Sequence, residues 1–130
     1  MGAIAATEEV GAGLVMASKS VAKGAIMGVS DVGGDVIQAA SEVARTAVRG
    51  AAQVGGDIAL VAKRTVDGVV EAARETGGNA GELALAAATG AVEAAGHIGK
   101  TAVSSVREIL MGVVSGTKEV LEAALPTSKG

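Results

Sequence analysis

The chain has 130 residues, a net charge of −3, and neither aromatic residues nor cysteine. Its apolar fraction of 49% is too high for a solvated disordered chain, so folding or binding must cover this apolar surface. The composition disfavours a nucleic-acid partner, because it offers no basic patch and no aromatic side chain for base stacking. It also excludes disulfides and cysteine-based metal sites.

A lead-in of residues 1–9 carries Glu8 and Glu9 and lacks a basic segment, which is not typical of a secretory signal. The longest charge-free apolar stretches, such as Leu83 to Val92, have about ten residues, whereas a transmembrane helix needs about twenty. We therefore expect a cytoplasmic protein that does not span a membrane and that can lie at the periphery of a lipid or granule surface.

Five blocks of 22 residues follow without a gap. They comprise residues 10–31, 32–53, 54–75, 76–97 and 98–119. The second position of each block is a glycine: Gly11, Gly33, Gly55, Gly77 and Gly99. The seventeenth position forms an apolar column, Ile26, Val48, Val70, Val92 and Val114. Pro126 stops a partial sixth block of residues 120–125 and leaves a tail of residues 126–130.

The block length indicates an α-helix. Six turns over 22 residues give about 3.67 residues per turn, close to the helical value of about 3.6. Polar side chains recur at block positions 3, 7, 10, 11, 14, 18, 21 and 22, which form a polar stripe along one side of the helix. In the second block these residues are Gln38, Glu42, Arg45, Arg49 and Gln53. The remaining two thirds of the circumference is apolar, and we predict an all-α tandem array.

Glycine pairs recur where one block meets the next. Val32 to Asp35 and Val54 to Asp57 both read Val-Gly-Gly-Asp, and Thr76 to Asn79 has the same form. Two glycines inside a helix cost about 2 kcal/mol relative to alanine. Glycine suits the end of a helix, and Asp or Asn caps the next one. We predict separate helices of about 18 residues joined by tight turns; the alternative is one long continuous amphipathic helix.

Three residues are predicted to begin helices as N-caps, whose side chains accept hydrogen bonds from the first backbone N–H groups. Asp35 and Asn79 are followed by Gln38 and Glu82 at the spacing of a capping box. In the last block the equivalent cap is Thr101.

Small residues one helical turn apart form candidate helix-packing ridges, because this spacing lets backbones approach closely. The candidates are Gly24, Gly28, Gly50, Gly68, Ala72, Gly90, Ala94, Gly112 and Gly116. Composition alone could produce the spacing in a chain so rich in Ala and Gly. The functional alternative is a repeated contact surface through which the chain associates with copies of itself or with a partner.

Two patterns resemble chemical sites without their usual context. Ala94 to Thr101 reads Ala-Ala-Gly-His-Ile-Gly-Lys-Thr, a relaxed Walker A motif, but the residues before it predict a helix, not the strand that a phosphate loop requires. His97, the only histidine, falls on the polar stripe and cannot form a typical zinc site alone. We predict no cofactor and no metal site.

Carboxylates spaced four residues apart in the third block are better explained as ion-pair partners than as an acid–base pair. The expected pairs on the helix surface are Lys63 with Asp67 and Glu71 with Arg74; Glu75 continues the acidic row. With no catalytic residue indicated, we predict that the chain is not an enzyme.

Three segments resemble the 11-residue repeats of synucleins, perilipin-type lipid-droplet coats and group 3 late-embryogenesis-abundant proteins. They are Lys63 to Val70, Ala86 to Gly90 and Gly116 to Val120, and they look like the Lys-Thr-Lys-Glu-Gly-Val units of those families. The resemblance implies a helix that lies on an apolar surface and is often unfolded until it finds one. Bacterial phasins, which coat polyester granules, are a looser resemblance.

Two functions are open at this point. The favoured hypothesis is a coat, in which amphipathic helices rich in small residues adsorb to a lipid or storage-granule surface. The alternative is a self-associating helical scaffold, or a subunit of a larger assembly, packed through its glycine ridges. The expected partner is accordingly an apolar surface or further copies of the chain, as a homo-oligomer.

Overall fold

A computed structural model describes the backbone of residues 2–113 and the side chains of residues 13–111. Within that range the chain forms helices and no strand. The helices are α1 (Gly2–Asp31), α2 (Val36–Gln53), α3 (Ile58–Thr76), α4 (Ala80–Ile98) and α5 (Lys100–Val113). The predicted all-α fold of separate helices is confirmed, and α2, α3 and α4 have 18, 19 and 19 residues.

The glycine pairs form left-handed turns, as their sequence predicts. The first glycines, Gly33, Gly55 and Gly77, have φ angles of 71°, 72° and 79°, a region that side-chain-bearing residues seldom adopt. The second glycine donates its backbone N–H to the carbonyl oxygen five residues earlier, over 2.8 Å in all three turns: Gly34 to Val29, Gly56 to Ala51 and Gly78 to Ala73. This bond defines a Schellman motif, which satisfies a carbonyl left free at the helix end.

The residue after each glycine pair caps the next helix. Side-chain oxygens of Asp35, Asp57 and Asn79 accept hydrogen bonds from backbone N–H groups over 3.0 to 3.1 Å. The donors are Gln38, Leu60 and Glu82. The predicted caps Asp35 and Asn79 are therefore confirmed.

The predicted cap Thr101 is wrong, because Thr101 lies inside the first turn of α5. Gly99 alone separates α4 from α5, and its backbone N–H donates to the carbonyl oxygen of Ala95 over 3.0 Å. Lys100 stands where the second glycine of the other turns would be, so the break is shorter and α5 begins before Thr101.

The first block also differs from the others. α1 has 30 residues and continues through Gly11, across the boundary between the lead-in and the first block. Val10 to Gly13 reads Val-Gly-Ala-Gly, which lacks both the second glycine and the capping Asp or Asn. Without those two signals the helix is not interrupted.

Each of the helices α1 to α4 makes its most extensive contact with the helix two places away in the chain. α1 packs on α3, and α2 packs on α4, while α5 packs on both α3 and α4. The paired helices run in parallel, because Lys19 contacts Glu71 and Lys23 contacts both Glu71 and Glu75. The pairs α1–α3 and α2–α4 are joined by contacts between consecutive helices, and α5 contacts one helix of each pair.

Block positions 9 and 13 contribute to the core in all five helices, where their residues are buried. These residues are Ser18, Ala22, Ala40, Ala44, Ala62, Val66, Ala84, Ala88, Val106 and Leu110. Most are Ala or Val, so the helices must approach closely to bury them. The hydroxyl of the one polar member, Ser18, donates to the carbonyl oxygen of Leu14 over 2.6 Å.

Candidate functional site: the docking and receiving faces of the repeat

Four block positions pack α3 onto α1 and α4 onto α2. We call positions 8, 12, 15 and 19 the docking face. In α3 they are Val61, Thr65, Gly68 and Ala72, and in α4 they are Leu83, Ala87, Gly90 and Ala94. All eight are buried. These positions share one side of a helix, so a single neighbouring helix can cover them together.

Position 15 is the point of closest approach. A Cβ atom built on Gly68 would overlap the backbone carbonyl oxygen of Lys19, and one built on Gly90 would overlap that of Ser41. Both contacts join residues 49 positions apart, so the two packings have the same register. Only glycine permits this approach, because the obstructing atoms belong to backbone and cannot rotate away.

The opposite surface of the contact is the receiving face, which we define as block positions 10, 14 and 17. In α1 it comprises Lys19, Lys23 and Ile26, and in α2 it comprises Ser41, Arg45 and Val48. Ile26 and Val48 are fully buried beneath the docked helices. The apolar column predicted from the sequence is therefore used, in these two blocks, inside the chain.

Ion pairs border both contacts and repeat with the same spacing. The Lys23 Nζ atom lies 3.2 Å from a carboxylate oxygen of Glu71 and 2.6 Å from one of Glu75. Arg45 of α2 pairs in the same way with Glu93 of α4. In both cases a cation at block position 14 meets a carboxylate at position 18, two blocks later.

Sequence reasoning did not find these interhelical pairs. It predicted that Glu71 would bind Arg74 on its own helix, which is wrong: Glu71 binds Lys19 and Lys23 of α1. Arg74 stands three residues from Glu71, but the packing of α3 on α1 brings the ammonium groups of Lys19 and Lys23 to the Glu71 carboxylate. The other expected pair, Lys63 with Asp67, is confirmed at 3.3 Å.

The ion pairs shift the pKa of Glu71 and of Lys23 so that the charged form of each group is favoured. Hydrogen bonds from Lys19 and then Lys23 lower the pKa of the Glu71 carboxyl group. Hydrogen bonds to Glu75 and then Glu71 raise the pKa of the Lys23 ammonium group. We therefore expect the α1–α3 contact to weaken at both extremes of pH.

The candidate packing residues fall into two groups in the structure. Gly68, Ala72, Gly90 and Ala94 are buried on docking faces. In contrast, Gly24 and Gly28 are exposed and Gly50 is half-buried, and a Cβ atom built on any of these three meets nothing within 4 Å. Three further candidates, Gly112, Val114 and Gly116, lie outside the residues whose side chains are described.

The apolar column changes along the chain in a similar way. Ile26 and Val48 are fully buried, whereas Val70 and Val92 are half-buried. Burial is complete where a helix with an extensive contact covers the column. It is partial in α4, for which the described range contains no helix two places further on.

The segment that resembles a Walker A motif is a junction between two helices. Ala94 to Ile98 form the end of α4, and Lys100 and Thr101 begin α5. His97 is exposed in the last turn of α4. Among residues 13–111 no group of three or more acidic, His or Cys side chains is arranged to hold a metal ion.

Within residues 13–111, α1 presents a docking face that no other helix covers. Its four positions, Ala17, Val21, Gly24 and Gly28, are all exposed, and 61% of Val21 is accessible to solvent. Met16 beside them is 74% exposed. The same positions in α3 and α4 are buried, so the exposure follows from the place of α1 at the start of the array.

Comparison with known protein families, with curated proteins and with solved structures gives no match to this chain. None of the helices in the described part of the chain is long and apolar enough to cross a membrane.

Proposed function

We propose that the chain is a non-catalytic structural protein, a helical scaffold that associates with copies of itself. One observation carries the proposal: the docking face that is buried in α3 and α4 is repeated on α1, where it is exposed. Repeat arrays bury such faces against neighbouring repeats, and a face left free at an end favours further association.

The packing within the chain also favours a scaffold over the coat that sequence reasoning ranked first. Ile26 and Val48, candidates for the adsorbing face, are fully buried between helices. To bring these residues to a lipid surface, the chain would have to open its own core. Helix caps and Schellman turns stabilise separate helices and oppose their fusion into one long helix that would lie flat on a surface.

The coat remains the second candidate, and the exposed Met16 and Val21 of α1 favour it. In that function α1 would lie on a lipid or granule surface and the rest of the array would face water. Aliphatic side chains without an aromatic anchor would insert only shallowly.

Two measurements on the same sample distinguish these functions. Sedimentation velocity in plain buffer reports association over a wide range of chain concentrations. Flotation with neutral vesicles or oil droplets reports adsorption. The scaffold predicts species larger than one chain that grow with concentration, with no flotation. A chain that stays single at every concentration contradicts the scaffold, and flotation of that single chain would establish the coat.

A further inference from the structure

We propose that two copies join head to tail, with the docking face of α1 in one copy seated on the receiving face of α4 in the next. The inference rests on the proposed self-association and adds the two surfaces and their register. It continues between chains the packing that already joins α1 to α3 and α2 to α4.

The first surface is the docking face of α1. Gly24 occupies the same block position as Gly68 and Gly90, the two glycines at which helix backbones approach most closely within the chain. Nothing lies within 4 Å of a Cβ atom built on Gly24. α1 therefore carries the glycine required for a second close crossing, and no helix of the described chain crosses it at Gly24.

The second surface is the receiving face of α4, which comprises Leu85, Thr89 and Val92. Leu85 and Val92 are half-buried and Thr89 is exposed. The counterparts of Val92 at position 17 in α1 and α2, Ile26 and Val48, are completely buried beneath a docked helix. An additional helix on α4 would complete the burial of Val92 in the same way.

The charges match the proposed contact. Within the chain, a cation at position 14 always meets a carboxylate at position 18: Lys23 with Glu71, and Arg45 with Glu93. At the proposed contact, position 14 of α4 is Thr89 and position 18 of α1 is Met27, so both partners are neutral. At these two positions, therefore, no charge would lose its hydration without gaining an opposite charge.

Two different faces make a heterologous interface. A copy that has docked through α1 still offers its own α4, so association continues instead of stopping at a symmetric pair. The expected product is a chain of copies or a ring.

The Gly24→Gln variant tests the docking face. The added side chain has open space in a single copy, and Gln has a higher helix propensity than Gly, so the variant should remain folded. At the interface the same side chain would collide with the backbone of α4 and raise the dissociation constant by roughly tenfold or more. Gly96→Gln is the matched control, because Gly96 is an exposed α4 glycine on neither face and with similar open space.

A mixing experiment tests the polarity of the interface. Val92→Lys places a charge at a position that docking would bury, whereas in a single copy the long side chain can extend into water. Each variant alone should sediment as one chain. A mixture of Gly24→Gln and Val92→Lys retains one intact docking face and one intact receiving face, and should form one-to-one pairs that do not grow. Circular dichroism of each variant verifies that it is folded.

The outcomes separate this inference from the proposed function. Association that is unaffected by Gly24→Gln, or that yields a pair blocked by Gly24→Gln but not by Val92→Lys, overturns the head-to-tail contact and leaves the scaffold intact. A wild-type chain that never associates overturns both.

Discussion

Among the residues whose side chains are described, block position 15 holds glycine in α1, α3 and α4, but the space around it depends on the helix. Gly68 and Gly90 lie against the backbones of α1 and α2, whereas Gly24 faces open space. The same residue therefore weakens helix propensity in all three helices and permits a close crossing in only two. This difference gives matched substitutions with opposite expected signs.

We expect Gly68→Ala to lower the free energy of unfolding by about 1–3 kcal/mol, because its methyl group overlaps the Lys19 carbonyl oxygen. This loss should appear despite a gain of about 1 kcal/mol in helix propensity. Gly24→Ala should show the gain alone. Denaturant unfolding followed by circular dichroism, at concentrations where single copies dominate, measures both. Equal effects of the two substitutions would contradict the assigned crossing.

The ion pairs at Glu71 predict a pH dependence of the α1–α3 contact. Because the pKa of Glu71 is lowered from 4.5, its stabilising contribution is present above pH 4.5 and is lost as the pH falls through the lowered value. The pKa of Lys23 is raised from 10.5, so its contribution is present below pH 10.5 and is lost as the pH rises through the raised value. Melting temperatures across pH should fall at both ends, and Glu71→Gln should reduce the acid-side fall. Parallel curves for the variant and the wild type would disprove this role of Glu71.

At the scale of the helix, adjacent residues determine where each helix ends, and packing between distant residues determines which helices contact each other. Each glycine pair ends one helix, and the Asp or Asn after it begins the next, so α2, α3 and α4 have nearly equal lengths. In the α1–α3 and α2–α4 contacts, glycine at position 15 permits the close approach, and charges at positions 14 and 18 pair across the contact. A cation stands at position 14 in the first two blocks and a carboxylate at position 18 in the next two, so the α1–α3 and α2–α4 contacts carry the same charges.

The cap at the start of α3 is a direct test of the turn. Asp57→Ala removes the side-chain oxygen that accepts from the Leu60 N–H, and should lower the free energy of unfolding by about 1 kcal/mol. Asp57→Asn is the matched control, since Asn79 makes the same bond at the start of α4. Thermal or denaturant unfolding measures both, and an equal loss in the two variants would show that the cap bond is not responsible.

The sequence alone was sufficient for the features that depend on adjacent residues. The Schellman turns and caps at Gly33 to Asp35 and at Gly77 to Asn79 follow from glycine and Asp or Asn in fixed order. The helix partners were not predicted, because a helix that is apolar over two thirds of its surface accepts several neighbours. The pairing of Lys23 with Glu71 was visible only as opposite charges two blocks apart, and its significance depends on the packing of α3 on α1.

Across the whole molecule, the absence of aromatic residues determines how the array is built. A core of Ala and Val offers little surface per side chain, so stability depends on many close helix contacts instead of a few large side chains. Such close contact requires glycine where two helices cross. The first helix, α1, carries the same docking face, and within the described residues no helix covers it. The exposed face of α1 is thus a consequence of the same repeat that forms the core.

Far-UV circular dichroism of the purified chain in plain buffer tests most directly whether the helices cover each other's apolar faces. The concentration is set from peptide-bond absorbance, because the chain has no Trp or Tyr. We predict a strongly helical spectrum and a cooperative thermal transition without any added surface. A disordered spectrum in buffer, with helix gained only on neutral vesicles or oil droplets, would contradict the packed array and support the coat.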